Sequence, residues 1–290
     1  MLGIDCASVD DGVNVEWGTA TREGRVSFAL VRGAYGDDAD AAFERSWRAL
    51  KDNAVPRGAY LFLRFPLIGR PPPADPTTQA ERFAATIGDL GPGDFPPTID
   101  VEFESKDGRA GTGLTAAQAI EWVAAAWRVL AARYRAAPLI YTSARIWQEE
   151  LDDAPAPELV DSPLWLAKPW PWSVRSPAHR DTAFFDDGRH DPGVPTPWGS
   201  QWFIHQYQGD ALGFPGFPST VDINRFRPIP LGATGDHVRW IQRRLGIATS
   251  GTFDAATRDA TIVHQRAHGL VADGVVGPRT FASLCWAQTC

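Results

Sequence analysis

Short apolar or alternating runs recur along the first 226 residues, and helix-like segments separate many of them. Each run is four to eight residues long, which is a common length for a strand. We predict eight strands, at Leu2–Asp5, Phe28–Gly33, Gly58–Phe65, Pro97–Phe103, Pro138–Ser143, Leu164–Pro169, Phe203–Gln208 and Val221–Phe226.

Helical patterns lie between several of these strands. Phe43, Trp47 and Leu50 recur at helical spacing. Pro76 stands near the start of the next pattern, where a missing N–H costs nothing, and Thr115 is a suitable N-cap. Because strands and helices alternate over the first two thirds of the chain, we predict an α/β barrel with a degenerate C-terminal portion. The predicted helices are Ala39–Val55, Pro76–Leu90, Thr115–Ala136 and Ser143–Leu151.

The pattern changes after the sixth strand. Residues 170–201 are rich in Pro and Trp and have no periodicity, which predicts a long ordered loop over the cleft. The segment RPIPLGATGD, which follows Phe226, predicts a linker, and helical spacing beyond it predicts a small helical unit. The aromatic residues of the loop are Trp170, Trp172, Phe184, Phe185 and Trp198, and the helical spacing is that of Val238, Ile241 and Leu245.

Charge and composition limit the classes of partner. The formal net charge is -7, which disfavours a nucleic-acid partner because phosphate binding needs a basic face. The acidic excess belongs to the first part of the chain, since residues 231–290 contain six Arg and four Asp. No apolar run approaches the length of a membrane span, so we expect no membrane partner. We expect a monomer.

The three cysteines do not form a disulfide framework, because their number is odd. Cys285 and Cys290 are close enough in sequence to pair near the C-terminus, but the sequence leaves that open. His264 and His268 lie four residues apart, a spacing that binds zinc on a helix, but no third ligand accompanies them. We therefore expect no metal and no cofactor.

Two carboxylates lie in the apolar segment Pro97–Phe103. Side chains alternate along a strand, so Asp100 and Glu102 share one face, while Ile99, Val101 and Phe103 take the other. An acid pair on a buried strand is costly unless the site is used; the alternative is that both acids lie at the exposed end of the strand and pair with Arg or Lys. Glycoside hydrolysis needs such a pair, because one acid protonates the leaving oxygen and the other stabilises the cationic centre.

Two further acids are expected to join this pair. Asp5 ends the first strand, and Asp222 lies in the last. The first and last strands of a closed barrel are neighbours, so both carboxylates can meet at the carboxyl end of the strands, where barrel active sites lie. The sequence thus predicts an acidic pocket, with loop capping as the alternative role for either Asp alone.

These motifs together resemble glycoside hydrolase family 25, the Chalaropsis-type lysozymes, in family order over about residues 1–227. The set consists of Gly3-Ile4-Asp5, FALVRGAYG (28–36), GAYLFLRF (58–65), PPTIDVEFE (96–104), LIYTSARIW (139–147), LWLAKPW (164–170), HQYQ (205–208) and VDINRF (221–226).

The resemblance implies a (β/α)5β3 barrel that cleaves the β-1,4 bond between N-acetylmuramic acid and N-acetylglucosamine of peptidoglycan. It places the acid/base at Glu102, the acid that orients or stabilises the acetamido group at Asp100, and the flanking cleft acids at Asp5 and Asp222. Substrate-binding positions are expected at Tyr141, Trp165, Gln206 and Phe62, with packing inside the barrel as the alternative role. Three features depart from the family pattern: Leu61 replaces a His, CASVDDG after Asp5 is unusual, and the loop over residues 170–201 is longer than the family's.

The tail resembles a three-helix peptidoglycan-binding domain. The matching segments are LGATGDHVRWIQRRLG, GTFDAATRDA and VHQRAHGLVADGVVGPRTFASL. The resemblance implies a catalytic barrel at residues 1–227 and a wall-binding domain at residues 231–290. The N-terminus has no basic stretch followed by an apolar run, so we expect synthesis in a host cytoplasm without a signal peptide. Action on the cell wall then follows release, as in a phage endolysin.

Two other functions remain open from the sequence. One is a binding protein that kept the barrel and lost hydrolysis, which the replaced His and the altered first loop suggest. The other is an amidase or peptidase, for which Cys6 beside Asp5 is the candidate nucleophile.

Overall fold

The main feature of the computed structural model is a closed barrel of eight strands; residues 1–8, 14–169, 175–182 and 190–287 are described. A two-residue strand, β3, folds back on the end of β2 outside the barrel. In chain order the strands are β1 (Leu2–Cys6), β2 (Phe28–Tyr35), β3 (Asp38–Ala39), β4 (Arg57–Phe62), β5 (Thr98–Asp100), β6 (Leu139–Thr142), β7 (Leu164–Ala167), β8 (Ile204–Leu212) and β9 (Thr220–Phe226).

The barrel closes through β1, which pairs with β2 on one side and with β9 on the other. Strands β1, β2 and β4 to β8 run parallel, whereas β9 runs antiparallel to both of its neighbours. The eight predicted strands and the (β/α)5β3 barrel are therefore confirmed.

Helices cover the outside of the barrel, and their starts follow the capping residues of the sequence. The Asp75 side chain accepts hydrogen bonds from the backbone N–H groups of Thr77 and Thr78, which begins α3. Thr115 and Gln118 form a capping box at the start of α4. The outer helices are α1 (Trp17–Arg22), α2 (Phe43–Asp52), α3 (Pro76–Ile87) and α4 (Ala116–Tyr134), and α2 to α4 confirm three predicted helices.

Some local features differ from the predictions. The short helix predicted over 143–151 is present at residues 144–150, but most of it, Ile146–Glu150, is π-helix, in which Leu151 N–H donates to the Ile146 carbonyl. This helix carries the fully buried Trp147, whose ring meets Trp198 at 4.7 Å between centroids. Helix α1 and strand β3 were not predicted. The regular part of β5 ends at Asp100, three residues before the predicted strand end.

Alternation along the strands divides the core into two layers. Ile99 and Val101 pack between the barrel and its helices, whereas Phe28 and Leu30 fill the interior. Gly3 lies against this interior packing, and a Cβ on it would come within 2.1 Å of the Phe28 ring. The interior is therefore a filled core, and a cleft can form only at its ends.

The C-terminal helices α5 (Asp236–Arg244), α6 (Ala255–Ala267) and α7 (Pro278–Cys285) form the predicted three-helix unit. Phe281 of α7 contacts Phe95, Phe203 and Phe226, which lie at the amino-terminal end of the parallel strands. The unit thus closes one end of the barrel and shares its hydrophobic core. The predicted linker is not free, because Ile229 within it is fully buried and pairs with Val276.

The aromatic loop predicted over the cleft is only partly described. Trp198 is 3% exposed, and its indole N–H is directed at the carbonyls of Leu159 and Ser162. It therefore belongs to the core, and its predicted place over the cleft was wrong. Trp170, Trp172, Phe184 and Phe185 lie outside the described residues, as does Cys290.

Candidate active site

The four acids converge at the carboxyl end of the parallel strands. Asp5 of β1 lies directly opposite Asp222 of β9, and Asp100 is the last residue of β5. Between Asp100 and Glu102, the Val101 N–H still donates to the Tyr141 carbonyl at 2.9 Å, so the extended backbone continues past the regular strand. Asp100 interacts electrostatically with both Glu102 and Asp5.

Gln206 of β8 connects two of these acids to Tyr141. Its side-chain nitrogen donates to Asp5 Oδ1 at 2.9 Å and to Asp222 Oδ2 at 3.1 Å. Its side-chain oxygen accepts a hydrogen bond from the Tyr141 hydroxyl at 2.8 Å. The backbone N–H of Asp210 also donates to Asp222, at 2.7 Å. These bonds set the positions of the carboxylates on one side of the pocket.

The side-chain amide of Asn224 also binds Asp5. Asn224 of β9 donates to Asp5 Oδ1 at 2.7 Å, and its own side-chain oxygen accepts from the Trp165 indole N–H at 2.7 Å. Trp165 is 1% exposed, and its ring meets the edges of Tyr141 and Tyr60. Trp165 therefore supports the network and has no open face for a sugar ring.

Asp100 is buried with incomplete hydrogen bonding. It is 5% exposed, and its Oδ1 has no hydrogen-bond partner among the residues that the structure describes. Burial raises the pKa of Asp100 well above its ordinary value, and the charges of Glu102 and Asp5 add to this, while Arg32 opposes it. A buried carboxyl with an unused oxygen costs stability, which is typical of a functional site.

Glu102 is partly buried at the mouth of the pocket. Burial raises its pKa, whereas a hydrogen bond with Tyr141 and the charge of Arg145 lower it. The charge of Glu102 in turn raises the pKa of its neighbour Asp100. Each of the two carboxyls therefore keeps its proton to a higher pH than an isolated acid does, and Glu102 is the more exposed of the two.

A family model described as "Glycosyl hydrolases family 25" matches residues 4–213, which include Asp5, Asp100 and Glu102. The chain belongs to glycosyl hydrolases family 25. A second model, described as "Putative peptidoglycan binding domain", matches residues 234–284, the region of the three C-terminal helices.

Solved structures share the family 25 barrel. The bacterial lysozyme from Streptomyces coelicolor superposes with a TM-score of 0.62 at 23% identity, over 78% of this chain and 92% of that protein. The family GH25 lysozyme from Aspergillus fumigatus gives a TM-score of 0.58 at 21% identity, over 78% and 93% of the two chains.

A curated relative in sequence is the uncharacterized protein YegX of Escherichia coli O6:H1 (strain CFT073). It is 28% identical over 144 residues, which cover 49% of this chain and 46% of YegX. The chain therefore spans about half the length of this relative.

The departures from the family 25 pattern lie away from the acids or outside the described residues. Leu61, which replaces a family His, is fully buried in the layer between β4 and the helices. Cys6 is buried in the same layer, on the opposite face of β1 from Asp5, so it cannot attack a substrate in the pocket. Residues 9–13, the end of the unusual first loop, are not described.

An aromatic surface adjoins the acids. Phe62 of β4 is the register partner of Asp100, and its ring stacks on Tyr35 at 4.8 Å between centroids. The Tyr35 hydroxyl donates to Glu104, which also pairs with Arg64 at 3.2 Å. Both rings are partly exposed, so of the four predicted substrate-binding residues Phe62 is the one with a ring face suited to a sugar.

Arg32, a basic residue whose charge acts on Asp100, was not among the predicted site residues. Arg32 of β2 pairs with the buried Asp40 at 2.8 Å, and its charge opposes the raised pKa of Asp100 and of Tyr60. The signal was present in FALVRGAYG, because Phe28, Leu30 and Arg32 alternate onto the interior face. Only the closed barrel shows that this face meets Asp100.

The described residues contain neither a metal-binding cluster nor a membrane-spanning helix. No group of three His, Cys, Asp or Glu side chains among them could hold a metal ion. His264 and His268 stack at 4.1 Å between ring centroids, and His264 Nε2 lies 2.9 Å from the Ser283 hydroxyl, so the pair is accounted for by packing. None of the described helices is both long and apolar enough to cross a membrane.

Proposed function

We propose that this chain is a muramidase, which hydrolyses the β-1,4 bond between N-acetylmuramic acid and N-acetylglucosamine in bacterial peptidoglycan. The observation that carries the proposal is the meeting of Asp100 and Glu102 with Asp5 and Asp222 at one end of the barrel, where burial raises the pKa of both Asp100 and Glu102. Membership of family 25 supports the reaction class, and the solved structures with similar barrels include a lysozyme and a muramidase.

Glu102 acts as the general acid and then as the base. Its raised pKa favours the protonated form, which protonates the leaving glycosidic oxygen. The resulting carboxylate then takes a proton from the attacking water, which restores the acid. Glu102 suits this role because it is the more exposed member of the pair.

Asp100 stabilises the reacting sugar. Its Oδ1 has no partner among the described residues, so it is available to the substrate's acetamido group. The surrounding carboxylates, Asp5 and Asp222 included, stabilise the positive charge that develops at the anomeric carbon. Phe62 and Tyr35 offer a stacking surface to an adjacent sugar.

The C-terminal unit, residues 231–290, binds the cell wall, and residues 1–227 catalyse the reaction. The enzyme acts as a monomer. The match to a peptidoglycan-binding model supports this division of labour. The acids lie at the carboxyl end of the barrel and the helical unit at the amino end. One chain can therefore bind the wall with one end and cut it with the other.

Reducing-sugar release from purified peptidoglycan tests the proposal. We expect release by the wild-type chain and a loss of at least about a hundredfold in Glu102→Gln, because general acid catalysis contributes that much or more. The matched control is Glu81→Gln, an exposed carboxyl on helix α3, which should keep full activity. If wild type pellets with the wall and releases no sugar, the chain is a binding protein and the proposal fails.

A further inference from the structure

Arg32 stands at the carboxyl end of the barrel, between the acids and the aromatic surface. On the interior face of β2 it follows Leu30, which is the register partner of Asp5. Its guanidinium carbon lies 5.4 Å from the centroid of the Tyr35 ring, and that ring stacks on Phe62. The guanidinium therefore borders the pocket on the side between Asp5 and Phe62.

Asp40 anchors one edge of this guanidinium. Arg32 Nε donates to Asp40 Oδ2 at 2.8 Å, and the Asp40 side chain is fully buried. Asp40 also accepts hydrogen bonds from the backbone N–H and the hydroxyl of Ser8, at 3.2 and 2.9 Å, and from the backbone N–H of Ala42 at 2.9 Å. Because these bonds hold the carboxylate from several sides, Arg32 is fixed in place before a ligand binds.

The other edge of the guanidinium keeps unused donors. The Nε and Nη2 edge faces Asp40 and Ser8, and the bond from Nη2 to the Ser8 hydroxyl is long, at 3.4 Å. Within the described part of the chain Nη1 has no hydrogen-bond partner, and because it is not a buried atom either, it reaches solvent. The Arg32 side chain as a whole is only 12% exposed, so a hydrogen bond from this edge to a ligand meets little competition from water.

The chemistry of the proposed substrate offers one group suited to this edge. N-acetylmuramic acid carries a lactyl group, whose carboxyl presents two oxygens in one plane, whereas N-acetylglucosamine has only hydroxyl and acetamido groups. A carboxylate that enters a pocket lined by acids meets like charges, so its binding needs a cation that offsets them. Arg32 supplies such a charge, and the same charge lowers the pKa of Asp100 against the effect of burial.

Resting on the proposed function, we propose that Arg32 binds the lactyl group of N-acetylmuramic acid and thereby selects this sugar in the pocket. The Nη1 edge donates to the carboxyl oxygens, because the planar fork of an arginine matches a planar carboxylate. Where the lactyl group is joined to a stem peptide, its carbonyl oxygen accepts the bond instead. Arg32 is then a specificity-determining residue, and Asp40 is a positioning residue that acts through it.

The test compares two tetrasaccharides prepared from peptide-free glycan strands. One keeps the lactyl carboxyl groups, and in the other these groups are reduced to primary alcohols, so the sugar rings and acetamido groups are the same. We expect kcat/KM of the wild-type chain to favour the carboxyl form by about tenfold to a hundredfold, the size of one hydrogen bond between charged groups. In Arg32→Gln the ratio of the two kcat/KM values should fall to about one or below, because the acids then act on the carboxylate without a cation.

The ratio separates recognition from structural damage. Partial unfolding, or an altered pKa of Asp100, changes the rates on both tetrasaccharides alike and cancels in the ratio. Arg82→Gln is the matched control, because Arg82 is an exposed arginine that pairs at 2.6 Å with Asp37, close to Asp40 in the chain, and it should keep the wild-type ratio. Where Arg32→Gln does not fold, Arg32→Lys takes its place: it keeps a positive charge for Asp40 but lacks the fork, so it should also lower the ratio.

Two results overturn the proposal. A wild-type chain that cleaves both tetrasaccharides equally well does not read the lactyl group, and a preference that survives in Arg32→Gln belongs to another residue. Dissociation constants of both tetrasaccharides in the Glu102→Gln background, with and without Arg32→Gln, give the same comparison without catalysis. If the wild-type chain cleaves neither tetrasaccharide, the proposed function fails, while the ratio of these dissociation constants still decides the role of Arg32.

Discussion

Asp5 on the first barrel strand and Asp222 on the last lie opposite each other, and their carboxylates accept hydrogen bonds from the same side-chain amide. Closure of the barrel brings the two acids together, and Gln206 offsets the repulsion between their charges because its side-chain NH2 group donates a hydrogen bond to each. The barrel seam is therefore also one wall of the pocket. Changes to this seam should affect stability and activity together.

Asp222→Asn should destabilise the protein. Asp222 accepts hydrogen bonds from Gln206 and from the Asp210 backbone N–H, whereas an Asn can offer its oxygen to only one of them and turns an N–H group toward the other. We expect a loss of about 1–3 kcal/mol in the free energy of unfolding, measured by urea denaturation. Asp210→Asn is the control, since within the described part of the chain its side chain pairs with the exposed Arg175 alone, and it should stay within about 0.5 kcal/mol. Equal stability of Asp222→Asn and wild type contradicts the network.

Asp100→Asn should stabilise the chain at neutral pH while it abolishes most activity. The raised pKa means that folded Asp100 keeps a proton that the unfolded chain loses, so wild-type stability falls as pH rises from the ordinary value of about 3.9 toward the raised one. An Asn does not titrate and avoids this fall. We expect a gain on the order of 1–3 kcal/mol at pH 7 that largely disappears near pH 4.

Denaturation of wild type and Asp100→Asn at both pH values measures this difference. Its sign matters most: a variant less stable than wild type at pH 7 means that Asp100 is ionised and well paired in the free enzyme. That result would remove the reason to regard Asp100 as a strained functional acid.

Phe62→Ala should weaken glycan binding more than it slows the chemical step. Phe62 and Tyr35 stack beside Asp100 with partly exposed rings. Loss of a stacking face worth about 1–1.5 kcal/mol predicts an increase in KM of about tenfold on soluble glycan fragments. Leu61→Met provides the control, because Leu61 faces the helix layer and a volume-conserving change there should leave KM unaltered. An unchanged KM in Phe62→Ala excludes the stacking surface.

Phe281→Ala should destabilise the barrel as well as the helical unit. The Phe281 ring is fully buried against Phe95, Phe203 and Phe226 of the barrel. We expect a loss of about 3–5 kcal/mol and, by calorimetry, one unfolding transition that moves as a whole. Val263→Ala, at a 65% exposed position of α6, should change little. Two separate transitions, of which only the smaller moves, would mean that the two parts fold independently.

The sequence allowed much of the pocket to be predicted because strand periodicity is local. Asp100 and Glu102 share a face since side chains alternate, and Asp5 meets Asp222 since a closed barrel makes its first and last strands neighbours. These arguments need only the identity of the strands. The outer helices α3 and α4 could be predicted for the same reason, from the caps at Asp75 and Thr115.

The features that could not be predicted from the sequence are contacts between segments that are far apart along the chain. The approach of Arg32 to Asp100 is set by barrel closure and tilt, and the contact of Phe281 with Phe203 is set by docking of the helical unit. Trp198 was expected over the cleft because aromatic loops resemble lids, but it packs on Trp147 in the core. The sequence alone does not distinguish an aromatic ring that packs in the core from one that covers the cleft.

Mass spectrometry of the soluble fragments from digested peptidoglycan tests the central claim most directly, because it identifies the bond that is broken. A muramidase leaves N-acetylmuramic acid at the new reducing ends, and we predict these products for wild type and Glu81→Gln but not for Glu102→Gln. Reducing N-acetylglucosamine ends, free stem peptides, or muramic ends that persist in Glu102→Gln would contradict the account.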